Sequence, residues 1–115
     1  MGLDITIKTS KSEKYFRKVN FLIPFVQSKN GGSLQDCEIV KLTKADLVEL
    51  VDRCKEVLED HTKAETLLPT RAGFFFGGTD YDEWYFQDVQ QVRDDVSDLL
   101  STMTGRMKAS FSAWW

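Results

Sequence analysis

A chain of 115 residues, 42% hydrophobic and 29% charged, is expected to fold as one domain around its own core. It holds no apolar run near the roughly 18 residues of a membrane span, and "MGLDITIKTS" lacks the basic-then-apolar order of a signal peptide, so a cytoplasmic protein without a membrane partner is expected. The formal net charge of −3 argues against nucleic acid as the main partner.

The charge is unevenly spread. Residues 1–30 carry six basic side chains against Asp4 and Glu13, and residues 80–98 carry seven acids against Arg93. Solvated helix faces of opposite sign explain this simply. A basic surface for a phosphate-bearing ligand, or complementary faces on two copies, are the sharper alternatives. Cys37 and Cys54 read as reduced thiols. There is no C-x-x-C pair and His61 is the only histidine, so no zinc pattern exists, and no metal or cofactor is expected.

In chain order, "LDITIKT" alternates, with Leu3, Ile5 and Ile7 on one face and Asp4, Thr6 and Lys8 on the other, the pattern of a half-buried strand. Ser10 with Glu13 has capping-box spacing and predicts a first helix from there to about Lys29. Tyr15, Val19, Leu22, Ile23 and Val26 would form its stripe, and Pro24 inside it predicts a kink or an early stop. "SKNGGS" is a loop and "CEIVKLT" a strand. Thr43 and Asp46 repeat the capping spacing before the clearest helix, whose stripe is Leu47, Leu50, Val51, Cys54, Val57 and Leu58. A third helix is expected from about Tyr81 to Met103, closed by Gly105. "MKASFSAWW" alternates as a last strand, with Trp114 on the face of Lys108, Ser110 and Ser112. The sum is a two-layer α+β domain, about three strands on about three helices in the order β-α-β-α-α-β, with the first and last strands paired.

The richest stretch is "TRAGFFFGGTDYDEWYF", residues 70–86. Phe74, Phe75 and Phe76 read as an extended buried segment, and Gly77-Gly78 as a tight reversal. Thr79 or Asp80 would cap the third helix, with Asp82 or Glu83 three residues on. Asp80, Asp82 and Glu83 supply oxygen ligands for a divalent ion, but without calcium-loop spacing. A phosphate at this turn would meet three acids, and no P-loop follows the glycines. Tyr81, Trp84 and Tyr85 suit a recognition surface, since amphipathic rings anchor interfaces. No Gly-x-Ser-x-Gly elbow or convincing triad supports nucleophilic catalysis.

Three segments, "GLDITIKT", "YFRKVNFLIPF" and "AETLLPTRAGFFFGGTDYDEWYF", together resemble a family of small uncharacterised phage and prophage proteins. Its members start Met-Gly-Leu-Asp, carry a Tyr-Trp-Arg-Lys-Ala-Asn helix and share a Leu-Leu-Pro-Thr-x-x-Gly-Phe-Phe-Phe-Gly segment. The resemblance places Arg17, Lys18, Asn20, Pro69, Thr70, Gly73, Phe74, Phe75, Phe76, Gly77, Thr79, Tyr81, Asp82 and Glu83 at shared positions. It departs at Ile23 and Phe25, where members often have histidine and tryptophan. It implies an origin and a host-cell cytoplasmic location, not a reaction.

The expectation is therefore a non-enzymatic binding module that engages a host or phage protein, or a second copy of itself. Candidate binding residues are Arg17, Lys18, Asn20, Thr79, Tyr81, Asp82, Glu83, Trp84, Tyr85 and Trp114. Arg17 and Lys18 are expected either to pair with Asp82 and Glu83 or to receive an anionic group. The alternatives are a binder of a nucleotide or other phosphorylated small molecule, and a divalent-metal hydrolase.

Overall fold

The computed structural model describes residues 2–73 and 78–115. The expected burial of Phe74, Phe75 and Phe76 and the reversal at Gly77 lie outside the described residues. Strands β1 (Asp4–Lys8) and β2 (Glu13–Arg17) come first, then helix α1 (Leu22–Lys29), strand β3 (Ile39–Thr43) and helix α2 (Lys44–Glu59). A 3-10 turn (His61–Lys63), a short helix α3 (Ala64–Leu67), helix α4 (Glu83–Ser101) and strand β4 (Lys108–Trp114) complete the chain.

The α+β class is as expected, but the described residues form four strands rather than three, and the extra one replaces half of the expected first helix. Thr9 explains the change. Its hydroxyl accepts from the amides of Lys11 and Ser12, and its own amide donates to the Ser12 carbonyl. Thr9 to Ser12 is thus the turn of a β1–β2 hairpin, and Ser10 with Glu13 is not a helix cap. Lys14, Tyr15, Phe16 and Arg17 alternate across the strand, with Phe16 fully buried. Lys18 ends the strand with a positive φ of 57°, its amide still donating to the Leu3 carbonyl at 2.7 Å. Pro24 falls in the first turn of α1, where a missing amide hydrogen costs nothing, so no kink is needed. The Asn20 carbonyl that Pro24 cannot serve is taken by the Ile23 amide at 3.1 Å. Gly31 and Gly32, both at positive φ, close α1, the Gly32 amide donating back to Gln27.

The sheet order is β2-β1-β4-β3, antiparallel throughout. The expected pairing of the first and last strands occupies its centre, with Ile5 opposite Ala113 and Ile7 opposite Phe111. Leu3, Ile5, Ile7, Phe16, Val40, Leu42, Ala109, Phe111 and Ala113 turn to the helices and are buried. Against them pack Leu47, Leu50, Val51, Cys54 and Val57 of α2, and Val89, Val92, Val96 and Leu99 of α4. The Thr43–Asp46 capping box forms in both directions, at 3.1 and 3.0 Å.

The other sheet face is uncovered by any described helix, and its residues stand in rows set by the register. Arg17, Asp4 and Trp114 form one row; Tyr15, Thr6, Ser112 and Ile39 the next; Glu13, Lys8, Ser110 and Lys41 the third. No described helix is long and apolar enough to cross a membrane.

Candidate functional site

The head of α4 meets the β2–α1 connection and the loop segment around Thr70. Between them lies a groove of about 270 Å³, lined by Lys18, Asn20, Asp80, Asp82, Trp84 and Asp88 among others. Its wall is built outward from Tyr85. That ring is buried at the start of α4, its hydroxyl donates to the Leu68 carbonyl at 2.7 Å, and it meets Phe21 edge-on at 5.5 Å. Tyr81 packs edge-on against Tyr85 at 5.0 Å, and its hydroxyl accepts from the Thr70 amide at 3.2 Å. The Thr70 hydroxyl in turn donates to the Thr79 carbonyl at 2.9 Å.

Asn20 joins the two sides. It is only 4% exposed, its side-chain amide donates to the Gly78 carbonyl at 2.8 Å, and its side-chain carbonyl accepts from the Arg71 amide at 3.2 Å. A buried amide that serves two backbone groups on a neighbouring segment positions that segment.

The cap of α4 differs from expectation. Asp82, not Thr79 or Asp80, is the N-cap, its carboxylate accepting from the Tyr85 amide at 3.1 Å. Glu83 is the first residue of the helix and is exposed. The chain reaches Asp82 in extended conformation, φ −107° and ψ −171°, which sets the helix start two to three residues later than the sequence spacing suggests.

Trp84 and Asp88 share a side of α4 by their i, i+4 spacing. The Trp84 ring is 71% exposed at the rim. Asp88 is half-buried, and burial, with the Asp82 carboxylate beside it, pushes its carboxyl up to about 6. Sequence reasoning passed over Asp88; its spacing from Trp84 was the available signal.

The candidate residues therefore divide. Lys18, Asn20, Asp82, Trp84 and Tyr85 line the groove, Tyr81 packs on Tyr85, and Thr79 and Glu83 lie beside it. Arg17 and Trp114 stand elsewhere, on the uncovered sheet face, flanking Asp4. Arg17 and Lys18 are neighbours in a strand end, so their side chains part. Among the described residues neither forms an ion pair with Asp82 or Glu83. No three His, Cys, Asp or Glu side chains among the described residues gather as an ion-binding group. The ring of His61, an exposed residue, stacks on Phe86, centroids 3.7 Å apart at 13°.

Comparisons with protein-family models, with curated proteins and with solved structures found no match to this chain.

Proposed function

We propose that the protein is a non-enzymatic binding module, an accessory protein of phage or prophage type, whose groove at the head of α4 receives a basic side chain of a partner protein. The observation that carries this reading is the exposed Trp84 ring standing over a groove that also holds Asp80, Asp82 and Asp88. An indole face attracts a cation, most of all where the site is partly desolvated. The carboxylates supply the matching charge, and Arg offers them a planar fork.

The phosphate reading is supported less well, because three carboxylates oppose one lysine where the anion would sit. The hydrolase reading has no gathered ion-binding group among the described residues to build on.

The test is an NMR titration with N-acetyl-arginine methylamide, with N-acetyl-glutamate methylamide as control. The Trp84 indole signal is expected to move with the arginine compound and not with the glutamate one. Asp88→Asn is expected to weaken that shift, and Trp84→Ala to weaken the shifts of the backbone amides that line the groove. An indole signal that stays still at millimolar arginine compound removes this reading.

A further inference from the structure

The uncovered face of the sheet carries a second constellation, separate from the groove. At one end Lys8, Lys41 and Lys108 surround a hollow of about 390 Å³, with the side chains of Thr9, Ser10 and Ser110 beside them. Register explains the gathering: Lys8 and Lys41 both sit opposite Ser110, from either side, and Lys108 is two residues before Ser110 on the same face. The Lys41 ammonium donates to the Ser110 hydroxyl at 2.6 Å, which fixes its position. None of the three lysines forms an ion pair among the described residues. Three like charges held together repel one another, Glu13 opposite Lys8 offsets only one of them, and a phosphate would relieve the rest.

The other end of the face is aromatic. Tyr15 is 53% exposed and Trp114 46%. The Tyr15 hydroxyl donates to the Asp4 carboxylate of the neighbouring strand, which ties this half-exposed ring to the sheet. Trp114 lies opposite Asp4 from the other side, and Arg17 completes that row. Ser110 and Trp114 are four residues apart on β4, about 14 Å along the strand at 3.4 Å per residue. A ligand that reaches both ends must carry anionic groups and flat rings along an extended backbone.

We infer that this sheet face is a binding surface for single-stranded nucleic acid, with phosphate at Lys8, Lys41 and Lys108 and bases stacked on Tyr15 and Trp114. Exposed rings on an open sheet beside a basic track are the elements such binding uses, and a duplex would keep its base faces hidden. The face holds Lys8, Arg17, Lys41 and Lys108 against Asp4 and Glu13, a positive surface on a chain whose net charge is −3. The net charge pools this face with the acidic head of α4, which is why it points the other way.

The test is fluorescence anisotropy of labelled oligo-dT and oligo-U of about 12 nucleotides, a length within the range of single-strand sites. Binding is expected at low salt and should weaken steeply as salt rises. Lys8→Glu with Lys41→Glu should weaken it by more than about tenfold, and Trp114→Ala by about tenfold. Lys55→Glu on the exposed side of α2 controls for charge and should change it less than about twofold. Circular dichroism checks that each variant folds; Lys8→Gln with Lys41→Gln replaces the reversed pair if it does not. Binding of either oligonucleotide supports the inference. It is overturned if neither binds at low salt, if Lys55→Glu weakens binding as much as the paired change, or if heparin and duplex compete equally while Trp114→Ala has no effect.

Discussion

Asn20 reaches across to Gly78 and holds its carbonyl at 2.8 Å, while the same side chain takes the Arg71 amide at 3.2 Å. One amide thus ties the turn after β2 to both flanks of the segment leading into α4. The groove takes its shape from that tie, because Asn20 and Gly78 both line it.

Asn20→Ala is therefore expected to leave two backbone groups without their partner. The cost should be about 1–3 kcal/mol, read by urea denaturation. The Arg71 amide should also exchange its hydrogen faster. Asn20→Asp keeps an acceptor for the Arg71 amide but sets a buried carboxylate against the Gly78 carbonyl, beside Asp80 and Asp82, so at neutral pH it should cost at least as much as Asn20→Ala.

Tyr85→Phe removes one oxygen and leaves the Leu68 carbonyl without the donor it has at 2.7 Å. The ring still packs against Phe21 and Tyr81. A loss of about 1–2 kcal/mol in thermal or chemical unfolding is expected, much less than the cost of Tyr85→Ala.

Asp88 sets a pH dependence with a definite sign. Its carboxyl is raised from an ordinary value of 3.8 to about 6 by burial and by Asp82. The folded chain therefore holds this proton more tightly than the unfolded chain does. The associated stability is fully present below about pH 3.8 and is lost as pH rises through about 6. Asp88→Asn should accordingly stabilise the fold at pH 8 by about 1 kcal/mol, allowing for solvent screening, and change little at pH 4. Binding of the arginine compound should run the opposite way, strengthening as Asp88 ionises between pH 5 and 7. Paired unfolding curves and titrations at the two ends of that range check both.

The two cysteines should behave differently. Cys54 is buried on α2, and burial pushes its thiol up to about 12, so it should resist a thiol reagent until the chain unfolds. Cys37 is exposed and should react in the native state, more slowly than a free thiol because desolvation and Asp36 raise it. Cys37 also holds a positive φ of 65°, so Cys37→Gly should stabilise by about 1 kcal/mol.

Particular residues explain how much of this was legible in the sequence. The alternation at Leu3, Ile5 and Ile7, the Thr43–Asp46 box and the stripe of α2 from Leu47 to Val57 each had one physical solution, and that solution formed. The region from Ser10 to Lys18 had two. Ser10 with Glu13 fits a helix cap and also a hairpin turn. The stripe from Tyr15 to Val26 outweighed the short alternation from Lys14 to Arg17. The turn won through Thr9, whose hydroxyl bonds lie outside any periodicity, and through the positive φ of Lys18, which periodicity does not encode. The groove was half legible. Trp84, Tyr85 and Asp82 stood out in one segment, but the contribution of Lys18 and Asn20 depends on a reversal after β2. The split of Arg17 from Lys18 followed from the same reversal. The lysine cluster was the least legible, because Lys8, Lys41 and Lys108 come from three strands and meet only through register.

The pairing of β1 with β4 has a consequence for the order of folding. Asp4 and Trp114 are opposite one another at the centre of the sheet, although almost the whole chain separates them. During synthesis β1 can make only the local hairpin with β2, and its inner edge stays open until β4 has left the ribosome. Helix α2 with its complete cap can form earlier, but its apolar stripe has only part of a sheet to cover. Closure of the central pair must meet the entropy of a very long loop in one step, so the barrier is expected to be high and folding slow for a domain this small. A circular permutant that joins β4 to β1 by a short linker and opens the chain at Gly31–Gly32 would turn that distant pair into a local hairpin. It should keep the same sheet while folding much faster.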